Sequence, residues 1–219
     1  MAGPQYDPNA RGSTEEEARF ERILEKTLRR SDVLDKEALC LIAGKQVFAI
    51  NLAIHILHGS GSLVSAAILA GIVALKHYRR PDFSIEGSEV TVHTPAERVP
   101  VPLALHHLPF AIEYTLFHLR SAKAATTGAT KGSAALGEGN VVALPDPSLL
   151  EDRLAEGTFI AVVNAHLEVC VLEKGGGAPV EADMLLSLLT RASIRAQELH
   201  KLVDSSLKQD LKTRSIGAF

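Results

Sequence analysis

Hydrophobic positions along the chain recur with two periods. Over residues 15–30, Phe20, Ile23, Leu24, Thr27 and Leu28 share one face of a helix. Thr14 followed by Glu17 has capping-box spacing at its start. Arg29 and Arg30 close its end, where cations suit the helix dipole. A second, almost wholly apolar helix is predicted over residues 62–78. Ala66, Ala67, Ala70 and Gly71 give it small side chains at helical spacing, which admits a close neighbour. Pro81 disfavours helical geometry at Arg80 and so bounds this helix. A third helix is predicted over residues 181–211, with Leu185, Leu188, Ala192, Leu199, Leu202 and Val203 on its apolar face.

The period of two marks strands. Residues 38–43 and 46–57 read as two strands joined at Gly44-Lys45, the second buried on both faces. A short hairpin is expected at 83–85 and 89–93 around Glu86-Gly87-Ser88, followed by a proline-rich connector at 98–102. Residues 103–117 read as one or two strands, and 141–144 as another. One or two helical turns at 147–155 lead to a hairpin at 159–164 and 168–173 around Ala165-His166, which Gly175-Gly176-Gly177 breaks. Residues 118–140 are rich in Ala, Gly, Thr and Lys without periodicity, and read as a flexible loop inserted between strands. Interspersed strands and helices with hairpins define an α+β or mixed α/β class.

Composition narrows the function classes. The 219 residues are 46% apolar and 22% charged, an ordinary globular balance for one domain. A net charge of −3 gives no global basic field, so any RNA binding has to be local or shared with other chains. With no Trp and 5% aromatics, the core is expected to be built from Ala, Val, Leu and Ile. Cys40 and Cys170 cannot form a disulfide framework and suit a reducing compartment. Residues 1–14 are polar and carry no secretory h-region. Residues 47–75 lack a formal charge, but Asn51, His55, His58 and Gly59-Ser60-Gly61-Ser62 divide them into pieces too short to span a bilayer. No membrane role is expected.

Candidate chemistry is sparse. The Gly59–Ser62 turn lacks the P-loop spacing and reads as a strand-to-helix turn. His55 and His58 are three apart on a strand, and His106 and His107 are adjacent, so neither pair should converge on a metal. There is no Gly-x-Ser-x-Gly elbow. Both cysteines lie in apolar strands, where thiols are inert. Arg79 and Arg80 could grip phosphate, but at a helix end they more often satisfy carbonyls. Asp146 and Asp152, with Glu151 beside the latter, could bind Mg²⁺ or act as an acid. The competing reading is a solvated, helix-capping turn.

The order of segments resembles a known family. The runs "LCLIAGKQVFAINLAIHIL", "AAILAGIVALKHYRRPDFSIEGSEVTVHTPAERVPVPLALHHLPF", "DPSLLEDRLAEG" and "VNAHLEVC" resemble the RNase PH-like ring subunits of the eukaryotic RNA exosome, from about Glu15 to about Leu211. The resemblance implies an RNase PH-like α+β fold, related to ribosomal protein S5 domain 2. It also implies a ring with a central RNA channel, other exosome ring and cap subunits as partners, weak contact with RNA, and no cofactor or metal. The implied function is noncatalytic support of 3′-to-5′ RNA processing and degradation (ribosomal RNA maturation, decay of messenger and noncoding RNA) in nucleus, nucleolus and cytoplasm.

Active members hold phosphate with a Gly-Thr-Arg-Thr-type turn. Here the matching residues are Gly61-Ser62-Leu63-Val64-Ser65, without arginine, and the acidic pair of active members matches Asp146 and Asp152. No residue is therefore assigned a catalytic role. Family members begin with strands and a hairpin that residues 1–14 do not resemble, so the N-terminal strands are expected to be missing. The expected organisation is a disordered tail at 1–14, a partial RNase PH-like domain at 15–212 carrying the 118–140 loop, and a tail at 213–219. The alternatives are an active phosphate-dependent 3′–5′ exoribonuclease, and a truncated interaction protein outside the ring.

Overall fold

The computed structural model describes residues 15–87, 89–118, 141–177 and 179–213. The expected tail at 1–14, all but the first residue of the tail at 213–219, the Thr14 cap and nearly all of the 118–140 loop lie outside the described residues.

Helix α1 (Glu15–Glu25) runs into a π-helical turn at Lys26–Arg30. There the Ser31 N–H donates to the Lys26 carbonyl at 3.1 Å and the Ser31 hydroxyl donates to the Thr27 carbonyl. The turn keeps Phe20, Ile23 and Thr27 on the buried side, as the periodicity predicts. Strands β1 (Cys40–Ile42) and β2 (Gln46–Val47) form a short antiparallel pair closed through Gly44 at φ +74°.

Helix α2 (Leu63–His77) buries Val64, Ala67, Ile68, Gly71, Ile72 and Leu75, a stripe at spacings of three and four. Leu28, Leu52 and Ile54 close around Gly71, where a Cβ would sit 3.4–3.6 Å from them. The small-residue spacing thus serves packing. Strand β3 (Arg79–Arg80) pairs with β6 (Val101–Pro102), and β4 (Phe83–Glu86) with β5 (Glu89–Val92). The proline-rich connector therefore contributes a strand rung. The two arginines lie in a strand and do not cap the preceding helix.

The main sheet is antiparallel, in the order β10-β9-β7-β8. It is built from β7 (Phe110–His118), β8 (Val141–Pro145), β9 (Gly157–Val163) and β10 (Val169–Gly176), with helix α3 (Leu149–Leu154) between β8 and β9. Of residues 103–117, those from 110 onward form one long strand, while 103–109 run as a loop. β10 continues through Gly175 and Gly176, where a break was expected, because Gly175 pairs with Thr158 and Gly176 with Gly157. A Cβ at Gly175 would meet the Arg19 guanidinium and the Thr158 hydroxyl at 2.9 Å, so the bare glycine lets α1 dock on this strand.

Helix α4 (Ala182–Thr213) covers the sheet face that carries Tyr114, whose hydroxyl donates to the Leu188 carbonyl at 3.4 Å. The other face carries Thr115 and its register partner Thr158, and Arg19 of α1 reaches Thr158 at 2.8 Å. Lys76 at the end of α2 is ion-paired with Asp204 of α4. Despite the low aromatic content, Phe110 and Phe159 are the largest fully buried side chains, so the core is not purely aliphatic. Among the described residues, no helix is long and apolar enough to cross a membrane.

One expected strand is missing. Residues 48–57 keep the alternation of an extended chain, with Phe48, Ile50, Leu52, Ile54 and Ile56 turned inward and the intervening positions exposed, yet they belong to no sheet. They are half-buried against α2, not buried on both faces, because no strand edge among the described residues lies beside them. Their backbone donors and acceptors form an open template for strand pairing. The isolated chain is expected to self-associate as its concentration rises. Ala53→Pro, which removes a ladder donor at an exposed position, should shift it towards monomer in sedimentation velocity. A single monodisperse species of the unaltered chain at all concentrations would contradict this.

Candidate functional site

The turn at 59–62, strand β7 and the segment leading into α3 meet at one end of the main sheet. The Leu149 N–H donates to the Ser60 carbonyl at 2.7 Å, and the Asp146 N–H to the Glu113 carbonyl at 3.1 Å. Gly61 has φ +131°, and a Cβ there would lie 2.0 Å from the Pro147 carbonyl oxygen. Only glycine fits so close an approach with that backbone. Ser62 enters α2 at φ 44°, and Asp146 turns the chain at φ 54°.

This geometry revises the reading of the acidic turn. Asp146 does not cap α3. Ser148 is the cap, in a reciprocal box with Glu151: the Glu151 N–H donates to Ser148 Oγ at 3.4 Å, and the Ser148 N–H to Glu151 Oε2 at 2.8 Å. The Ser148 N–H and hydroxyl, both donating to Glu151 Oε2 at 2.8 Å, hold the Glu151 carboxyl below its usual range. Asp146 and Asp152 instead add negative charge around Glu113. Burial, then Asp152 and Asp146, push the Glu113 carboxyl from the ordinary 4.5 up to about 7, with Arg19 opposing them. Glu113 Oε2 is buried without a hydrogen-bond partner, as are the hydroxyls of Ser62 and Ser65.

Sequence reasoning missed Glu113. Its one signal was a lone carboxylate inside an apolar strand, and only the pairing of β7 with β8 brings it beside Asp146. The nearby Arg19 donates to Glu173 at 2.7 Å and to Thr158 at 2.8 Å.

A second feature lies on α1 and its π-turn. Arg22, Lys26 and Arg30 stand four residues apart and, with Glu21 and Glu25, line a shallow depression of about 490 Å³. Arg30 pairs with Glu25 at 3.5 Å, while Arg22 and Lys26 have no acidic partner among the described residues. Along a helix these three cations span about 12 Å. Of the C-terminal pair read as satisfying the dipole, Arg30 therefore belongs to a longer basic stripe, while Arg29 pairs with Glu25 at 3.8 Å.

The remaining candidates separate. Cys40 is exposed at the start of β1, contrary to the expectation of a strand interior. Cys170 is half-buried, and burial and Glu168 push its thiol up, away from the nucleophilic thiolate. His55 and His58 are exposed on the unpaired segment. Arg80 lies 5.6 Å over the Phe48 ring and 5.3 Å over the Phe83 ring, a cation–π clamp and not a phosphate grip. Among the described residues, no cluster of His, Cys, Asp and Glu is arranged to hold a metal.

With this geometry in hand, similarity to known proteins is informative. Residues 1–81 match the 3′ exoribonuclease family, domain 1. The human exosome complex component RRP45 is 33% identical over 99% of this chain. The Schizosaccharomyces pombe exosome complex component rrp45 is 31% identical over 92%. The chain is similar to exosome RRP45 subunits over nearly all of its own length. It spans 44% of the human relative's length and 62% of the fission-yeast one. Residues 1–14, read as unlike the family, fall inside the family match.

Among solved structures, a chain of the Archaeoglobus fulgidus exosome with RNA bound to the active site superposes with a TM-score of 0.65 at 21% identity. The superposition covers 91% of this chain and 65% of that one. A chain of an archaeal exosome core superposes at 0.61 and 20% identity, over 87% and 64%. The fold is RNase PH-like, as the resemblance implied.

The raised Glu113 value has a thermodynamic consequence. A carboxyl whose folded value exceeds its unfolded one stabilises the fold fully below pH 4.5 and loses that contribution as pH rises through about 7. The loss is on the order of 3 kcal/mol. Glu113→Gln should remove it, so the variant's thermal stability should fall less between pH 5 and pH 8 than that of the unaltered chain. Parallel melting curves at the two pH values would overturn the assignment.

Proposed function

We propose that the chain is a noncatalytic subunit of an exosome-type ring, which holds RNA and neighbouring subunits while cleavage occurs elsewhere in the assembly. The observation that carries this reading is the chemistry around Gly61-Ser62-Leu63-Val64-Ser65. Phosphorolysis needs a bound phosphate as nucleophile. Here the turn offers two hydroxyls and two apolar side chains, with Glu113, Asp146 and Asp152 nearby. A phosphate dianion placed beside the Asp146 and Asp152 carboxylates is repelled, and Glu113, whose burial favours its protonated form, supplies no cation to offset them.

Homology to RRP45 subunits and the archaeal exosome-like fold support other exosome ring and cap subunits as partners. The corresponding role is ribosomal RNA maturation and decay of messenger and noncoding RNA, in nucleus, nucleolus and cytoplasm. RNA contact falls to the α1 stripe. Arg22 and Lys26 are available cations on a helix whose last turn is π-helical, an irregularity enriched at functional sites.

Two measurements test the reading. Incubated with single-stranded RNA and phosphate, the chain should leave the RNA intact; shortening that Asp152→Ala abolishes would overturn the proposal. Arg22→Glu with Lys26→Glu should weaken binding of single-stranded RNA about tenfold and flatten its dependence on salt, because two phosphate contacts are lost. Unchanged affinity and salt slope would remove the stripe from the interface.

A further inference from the structure

Four of the nine histidines gather at one cleft, among them the adjacent pair His106 and His107 that was expected to diverge. The end of α2, strand β3, the segment 102–108, the β9–β10 turn and α4 enclose a cleft of about 440 Å³. Its polar lining includes Lys76, Arg79, His106, His107, His166 and His200, with Pro102 and Leu103 among its apolar walls. Adjacent strand residues point apart, yet His106 and His107 both reach this cleft, because 103–108 runs as a loop pinned to the chain before β1. The His106 N–H donates to the Val33 carbonyl at 2.9 Å, and Asp35 donates to the Ala104 carbonyl at 3.0 Å.

The cleft is rich in donors and poor in counter-charge. Arg79 has no acidic partner among the described residues. Lys76 is paired with Asp204, which also stands 3.8 Å from His200 Nε2. Asp32 acts on His106 and His107 but is itself held by Lys36 at 2.6 Å. His77 and Asp210, behind Lys76, face one another at 3.3 Å, and Glu168 beside the β9–β10 turn accepts from Asn164 at 2.6 Å. His107 must donate through Nε2 to the Ser31 carbonyl at 2.6 Å, which leaves its buried Nδ1 without a partner; His200 Nδ1 is likewise unpartnered. The four imidazoles are not arranged as a metal site.

Two permanent cations, four planar imidazoles and apolar walls in a cleft at the small end of ligand sites suit a nucleotide. We propose that this cleft holds one nucleotide of a single-stranded RNA, its phosphate at Lys76 and Arg79 and its base against the imidazoles. This second RNA contact shares its ligand with the α1 stripe but none of its residues.

Binding of a fluorescein-labelled oligoadenylate by the full chain at constant ionic strength tests the proposal. The variant Arg22→Glu with Lys26→Glu serves as a second background. Arg79→Gln should lower affinity about tenfold in both backgrounds, the loss expected for a charge-assisted hydrogen bond, which separates this site from the stripe. His106→Ala with His166→Ala, both at exposed positions, should also lower affinity while leaving the melting temperature unchanged. Affinity unchanged by Arg79→Gln in both backgrounds, or unchanged by the histidine pair, would overturn the proposal. AMP competing as well as the oligonucleotide would overturn the assignment to an RNA strand.

Discussion

Phe110, Ile112, Tyr114 and Leu116 on one face of β7, and Ala111 and Thr115 on the other, are all buried. A strand enclosed on both faces leaves polar groups no route to water, so every neighbour must be matched to it. β9 meets this demand with Phe159, Ile160, Ala161, Val162 and Val163, all at or near zero exposure. The helices fill what remains: α4 over the Tyr114 face, α1 through Arg19 over the Thr158 face. Glu113 is the exception within this strand, and the candidate site forms around that exception.

The site is therefore a by-product of sheet closure as much as of its own residues. Pairing of β7 with β8 brings the Asp146 turn against Glu113, and the Ser60 carbonyl fastens the glycine turn to α3. Three carboxylates in one partly desolvated corner stabilise the protonated form of one of them and disfavour an anion beside them. The turn at Gly61–Ser65 in that corner carries no cationic side chain of its own. Cations lie elsewhere: Arg22 and Arg30 are exposed on α1 and its π-turn, and Arg79 is half-buried at the histidine cleft.

The unpaired segment 48–57 shows the reverse situation. Its inward residues complete the packing of α2 around Gly71, yet its backbone is left without strand neighbours among the described residues. Side-chain packing and backbone pairing are satisfied independently here. The pattern that reads as a strand is real, but the sheet that would make it one is not built from the described residues.

The helices and hairpins were legible in the sequence because apolar spacing is local: the stripe of α2 and the apolar run of β9 appear directly in residue order. The missing arginine in the Gly61–Ser65 turn was equally legible, since it is a matter of residue identity. The tertiary structure alone decided what depends on long-range approach. It set Glu113 beside Asp146 and Asp152, made Ser148 the cap, exposed Cys40, and turned Arg80 onto two phenyl rings. It also drew His106, His107, His166 and His200 from three distant segments into one cleft. Periodicity reports which face of its own element a residue occupies; it carries no information about which other element comes to meet that face.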